Sequence, residues 1–264
     1  MDFTDPIVLG SLASFVFPLC RISAFLAVFY VISGSNVPTF IRALFAFAFT
    51  VCVLPSIPAA PDGLYPFSVA GMMTIGTEVL KGLAMGFMTQ LIAQIFSMAG
   101  QAVAMQTGLG FASLVDPVSG TNAPVVGQFF TILATLVFLA LNGHIAFIRL
   151  MLESFNTVPI GSGMLPPDGL YGLAAFGSFM FQGAVAMSLS SICTMLIVNF
   201  TLGVMTRAAP QLNIFSLGFA ISMIVGISTI IISLGAFMGN FTSDLNEVFS
   251  TTCSLIGTVC GDVF

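Results

Sequence analysis

Four stretches of this chain contain no charged residue at all: 82–115, 117–148, 169–206 and 208–243. Each is longer than the roughly 20 apolar residues a helix needs to cross the hydrocarbon core of a bilayer. A soluble fold has no room for four such runs. Its surface has to carry charge, and ten acids and five bases are too few for 264 residues. With 58% hydrophobic residues, 6% charged residues and a mean hydropathy of +1.12, most of the surface must face lipid or protein. The expected class is an all-α membrane protein.

The formal net charge of −5 gives no reason to invoke nucleic acid or an anionic membrane surface, because both attract clustered Lys and Arg and the bases here are scattered. The amino end, Met-Asp-Phe-Thr-Asp-Pro, is acidic where a secretory leader carries Lys or Arg. The first apolar segment is therefore expected to stay as a helix. Cys20, Cys52, Cys193, Cys253 and Cys260 are odd in number and lack CxxC spacing, and they read as buried small hydrophobes.

Breakers divide the chain into six expected helical stretches, 6–32, 38–54, 67–106, 124–152, 169–206 and 211–241. Between them lie Ser33-Gly34-Ser35-Asn36, the proline-rich segment 55–63, and 159–169, all of turn composition. No segment reads as an interdomain linker, so 1–264 is expected to be one domain. The stretches 67–106 and 169–206 would each run about 55–60 Å as continuous helix, nearly twice the hydrocarbon core. Either they break at Gly76, Gly82 and Gly86 and at Gly172, Gly177 and Gly183 into hairpins, or they project beyond lipid into protein. Gly82-x-x-x-Gly86 allows another backbone to approach closely, within the chain or from another subunit.

Catalysis needs convergent acids, bases or nucleophiles, and the chain has one histidine and no HExxH, GxSxG or GxxxxGK[ST] motif. The expectation is no enzyme, no catalytic residue, no metal and no cofactor. His144, in Leu-Asn-Gly-His, reads as a hydrogen-bonded structural residue. Glu78 and Lys81 share a helix face and are expected to form a structural ion pair that offsets the cost of charge in lipid. As an isolated pair, loss of either alone would do more harm than loss of both. Further along that segment Gln90, Gln94, Gln101 and Met105, with Met98 between, form an uncharged polar stripe suited to a wet passage or a subunit interface. Segment 108–124 is apolar yet full of helix breakers, which at membrane depth persists only inside protein or against a cavity. Phe111, Leu114 and Val115 would then face an interior.

Met105-Gln-Thr-Gly-Leu-Gly-Phe-Ala-Ser-Leu-Val-Asp-Pro117, Leu141-Asn-Gly-His144, Ser154-Phe155 and Val158-Pro-Ile-Gly161 resemble the FliR family of type III secretion export-gate proteins in order and spacing. Arg207-Ala-Ala-Pro-Gln-Leu-Asn-Ile-Phe-Ser-Leu-Gly-Phe219 resembles a second signature of that family, and Val37-Pro38 with Arg42 and Glu78-x-x-x-Gly82-x-x-x-Gly86 an earlier one. Ala220 departs from the Pro expected there. The resemblance implies long, kinked or hairpin helices in a hetero-oligomeric export-gate assembly. It implies a structural subunit that forms, with FliP and FliQ, a pore for unfolded flagellar proteins in the bacterial inner membrane at the flagellar basal body. An FlhB-type switch protein is a further implied partner. The homologous subunit of a virulence injectisome has the same resemblance, and a stand-alone secondary transporter is the alternative from another class.

Within that picture 108–122 is expected to be a plug. Phe111, Leu114 and Val115 would block the passage, with Met105 and Leu109 beside them. Gly108, Gly110 and Gly120 would supply freedom to turn, and Asp116-Pro117 a fixed bend. A loop that merely joins two helices is the alternative. Arg207, Pro210 and Gln211 are expected in a tight connection between two long helices that docks other subunits.

Overall fold

The computed structural model describes residues 6–34, 37–61, 63–110, 125–208, 214–258 and 260. Proline sets several helix boundaries, because it cannot donate to the helix ladder but is preorganised for a first turn. Helix α1 is Pro6–Val28 and α2 is Thr39–Val53, the latter starting directly after Pro38. A short 3₁₀ turn, Leu54–Ser56, stops α2 at Pro55. Helix α3 is Val69–Thr107, α4 Val125–Ala140, α5 Gly143–Thr157, α6 Pro167–Ala208 and α7 Ile214–Leu255. No strand occurs among the described residues.

Of the two arrangements open for each overlong segment, the structure takes the uninterrupted one. Helix α3 runs 39 residues through Gly76, Gly82 and Gly86, and α6 runs 42 through Gly172, Gly177 and Gly183. Glycine weakens a helix by about 1 kcal/mol per site and does not itself break one. The break falls instead in 124–152, which was expected to be a single helix. There Leu141 and Asn142 separate α4 from α5, and Asn142 takes a left-handed backbone at φ 57°. The last helix continues to Leu255, well past the expected stop at 241. Among the described residues five helices are long and apolar enough to span a bilayer, and α4 with α5 adds a sixth if counted as one broken span.

The chain forms two compact units, Met1–Leu91 with Leu141–Phe176 and Asn246–Phe264, and Ile92–Ala140 with Gly177–Leu245. In the first, α1 seats against α3 at the two motif glycines. A Cβ on Gly82 would collide with the Arg21 carbonyl oxygen, and one on Gly86 would lie 2.7 Å from that of Phe25. The Gly82-x-x-x-Gly86 motif is thus used for contact within the chain. Two side chains of α3 then complete the end of α1: Gln90 donates to the Val28 carbonyl at 2.9 Å, and the Tyr30 amide donates to Thr89 Oγ1 at 3.1 Å. In the second unit Phe96, Phe130, Phe237 and Phe241 stack into an aromatic core, with Phe96 4.9 Å from Phe237 and 5.1 Å from Phe241 between ring centres. Gly100 and Gly127 allow α3 and α4 to touch backbone to backbone there.

The cysteines depart from the uniform burial expected of them. Cys52 and Cys193 are exposed, and Cys253 is disulfide-bonded to Cys260. Sequence separation gave no hint of that pairing, because it depends on how α7 ends.

Candidate functional site

Close packing at Gly82 fixes which residue of α1 faces Glu78, one turn earlier on α3. That residue is Arg21. Its Nε donates to Glu78 Oε2 at 2.6 Å, while Lys81 Nζ donates to Glu78 Oε1 at 2.8 Å. Glu78 and Arg21 are fully buried, and Lys81 is 2% exposed. The sequence pair is therefore two-thirds of a triad carrying two positive charges and one negative.

The surplus charge is met by the carboxyl end of α5. Arg21 Nη1 donates to the Ser154 carbonyl at 2.9 Å and to Ser154 Oγ at 3.1 Å, and Nη2 donates to the Val158 carbonyl at 2.9 Å. These carbonyls belong to the last turn and cap of α5, where the helix dipole is negative, and the Ser154 carbonyl, which also accepts the Val158 amide at 3.0 Å, uses its second lone pair for Arg21. The guanidinium also lies over the Phe155 ring, 4.2 Å from its centre. Lys81 Nζ lies 3.5 Å from the Pro159 carbonyl. Arg21 thus ties α1, α3 and the end of α5 with one planar group, a task its fork of five donors suits.

Arg21 was missed in the sequence. A signal was present: it is the lone charge of the first apolar run, and an unpaired cation there needs an acid. Glu78 was already assigned to Lys81 on helical spacing, and nothing local links positions 57 residues apart.

The stripe on α3 divides. Gln90 is used inside the chain, whereas Gln94, Gln101 and Met105 are exposed, Met105 by 69%. Gln101 Nε2 reaches Ser97 Oγ on its own helix at 3.2 Å. Met105 and Gly108 border a cleft of about 830 Å³ with Asn199 and Thr206 of α6 and Phe219 and Ser222 of α7. Gly108 ends α3 at φ 78°, a value that favours glycine, and the Gly110 amide donates to the Ala104 carbonyl. Leu109 is half-buried. Phe111, Leu114, Val115, Asp116, Pro117 and Gly120 lie outside the described residues, as do Pro210 and Gln211. Arg207 is exposed in the last turn of α6, which stops at Ala208.

Of the His144 ring, Nδ1 is buried with no hydrogen-bond partner among the described residues. Burial pushes the Asp244 carboxyl up to about 6, in the stretch of α7 beyond its most apolar window.

Several helices long and apolar enough to cross a bilayer, with a buried charge node that ties α1 and α3 to the end of α5, define a polytopic helical membrane protein whose internal charges hold helices together. Residues 12–248 match the family of bacterial export proteins, family 1, and the chain belongs to that family. It is 33% identical over 243 residues to the flagellar biosynthetic protein FliR of Escherichia coli K12, covering 92% of each chain. It is also 33% identical to FliR of Pectobacterium carotovorum, over 94% of this chain and 92% of the relative. With FliR of Bacillus subtilis it shares 27% identity over 92% and 96%.

Proposed function

We propose that this chain is a structural subunit of the flagellar type III export apparatus in the bacterial inner membrane, at the flagellar basal body. It would form, together with FliP and FliQ subunits, the pore through which unfolded flagellar proteins leave the cytoplasm. Family membership and the FliR relatives support the flagellar assignment. The observation that carries the pore reading is the stripe of Gln94, Gln101 and Met105, left uncovered on a helix whose charged residues are all paired inside the chain. Amides facing hydrocarbon would each forfeit hydrogen bonds worth several kcal/mol. Facing a polar passage or another subunit, they keep them.

A stand-alone transporter is disfavoured by the charge node. Both carboxylate oxygens of Glu78 are engaged within the chain, so this buried acid is not open to a substrate or coupling ion. On the proposed reading the chain has no chemistry of its own, and an FlhB-type protein docks beside it. Segment 108–122 plugs the passage at the end of α3, beside Met105.

Expression of the tagged chain with its FliP-type and FliQ-type neighbours tests the assembly. Recovery of one detergent-stable hetero-oligomer is expected, and a folded, monodisperse chain that purifies free of both would overturn it. Deleting residues 111–115 in the assembled complex should raise ion leakage across the membrane. Unchanged permeability with assembly intact would remove the plug role.

A further inference from the structure

The end of α7 places two cysteines side by side. Gly257 adopts φ 74°, the Thr258 amide donates to the Cys253 carbonyl at 2.9 Å, and the Gly257 amide donates to the Ser254 carbonyl at 3.1 Å. This pair of bonds is a Schellman turn, which stops a helix and reverses the chain. Reversal returns Cys260 to the flank of the helix it has just left, with its Cα 6.0 Å from that of Cys253, inside the range a disulfide spans. Thr258 Oγ1 adds a bond to the Cys253 carbonyl at 3.2 Å. The turn is packed against the start of α6: Cys253, Leu255 and Ile256 are each 1% exposed, and a Cβ on Gly169 would lie 3.1 Å from the Leu255 carbonyl oxygen.

Charge separates this end from the other end of the two helices. Asp168 opens α6 here and Glu247 precedes the cysteines on α7, whereas 158–206 and 208–260 contain neither Lys nor Arg. The one base of the helix pair, Arg207, sits at the opposite end. Basic residues favour the cytoplasmic side. Disulfides persist on the oxidising side and are rare in the cytosol. At 42 residues α7 rises about 63 Å, more than enough to have its two ends on different sides of a ~30 Å core.

We propose that Cys253 and Cys260 form a structural disulfide site that is oxidised on the extracytoplasmic side, clasping the carboxyl end of α7 against the start of α6. The oxidant is an extracytoplasmic dithiol–disulfide protein. One cysteine thiolate attacks its disulfide, forming a mixed disulfide and releasing one oxidant thiol. The second cysteine thiolate then attacks the chain's sulfur in that mixed disulfide, so the two electrons and two protons end on the reduced oxidant.

The test uses the full chain in its native membrane. Cells are quenched in acid, denatured without reductant, and treated with a maleimide that adds a countable mass. Three adducts are expected, at Cys20, Cys52 and Cys193, rising to five after reduction. Five adducts before reduction in oxidant-proficient cells would overturn the proposal, as would three in cells that lack extracytoplasmic thiol oxidants. Orientation is read separately with Ser254→Cys in a chain whose native cysteines are all serine. A membrane-impermeant maleimide applied to intact, outer-membrane-permeabilised cells should label it, and labelling only after the inner membrane is broken would equally defeat the assignment.

Discussion

Glu78 and Lys81, in the first half of α3, are buried and paired inside the chain, whereas Gln94 and Gln101, in the second half, are exposed. One helix thus treats its polar residues in two ways, and cost explains the difference. A charge in a low-dielectric setting loses several kcal/mol unless its partners are in place when the chain folds. The triad meets that demand from three helices, including the Ser154 and Val158 carbonyls at the end of α5. An uncharged amide loses less, so its hydrogen bonds can be supplied later by another subunit or by water in a passage. Polarity the chain satisfies alone therefore marks its own architecture, and polarity it leaves open marks where something else belongs.

The sharpest way to break this contrast is at the acid. Glu78→Ala leaves two buried cations facing each other and should destabilise the chain by about 3–5 kcal/mol, read as loss of extractable folded protein. Lys81→Met should cost much less, since it leaves a neutral Arg21–Glu78 pair. Adding Lys81→Met to Glu78→Ala should give little rescue, because Arg21 stays unpaired. An isolated Glu78–Lys81 pair would instead make the double variant milder than either single one. Stability of the four forms in detergent decides between them.

A second test concerns the contact that creates the triad. Gly82→Ala forces α1 away from α3 and should cost about 1–3 kcal/mol. Gly76→Ala, on the same helix with nothing within 4 Å of its Cβ, should be neutral or stabilising by up to about 1 kcal/mol. Equal thermal shifts for the two would show that the close approach is not needed.

The smallest effect on the fold is expected in the stripe. Gln94→Leu and Gln101→Leu should leave the chain's stability within about 0.5 kcal/mol, as is usual for exposed sites. Swimming and flagellar protein secretion should nevertheless fall. A stability loss equal to that of Gly82→Ala would mean that the amides are internal supports.

Much of this was legible in the sequence, and the failures have physical causes. The helical class, the overlong segments and the Glu78–Lys81 contact follow from hydropathy and from the three-residue spacing that puts side chains on one face. Arg21 was not legible, because its acid is brought near only by packing at Gly82 and its carbonyls only by the end of α5. The break falls at Asn142-Gly143-His144, polar turn residues that interrupt the apolar run, but a stretch read as one helix gave no weight to the left-handed backbone that Asn142 takes there. The disulfide was hidden, since Cys253 and Cys260 meet only because Gly257 reverses the chain between them.

The most direct measurement places a photo-crosslinking amino acid at Gln101 and, for comparison, at Ile231, an exposed apolar position on α7. In cells assembling flagella, Gln101 should give discrete adducts with other export-apparatus subunits or with exported flagellar protein. Absence of any protein adduct at Gln101, in a complex that is assembled and secreting, would contradict the claim that the open polar stripe is where the rest of the machine belongs.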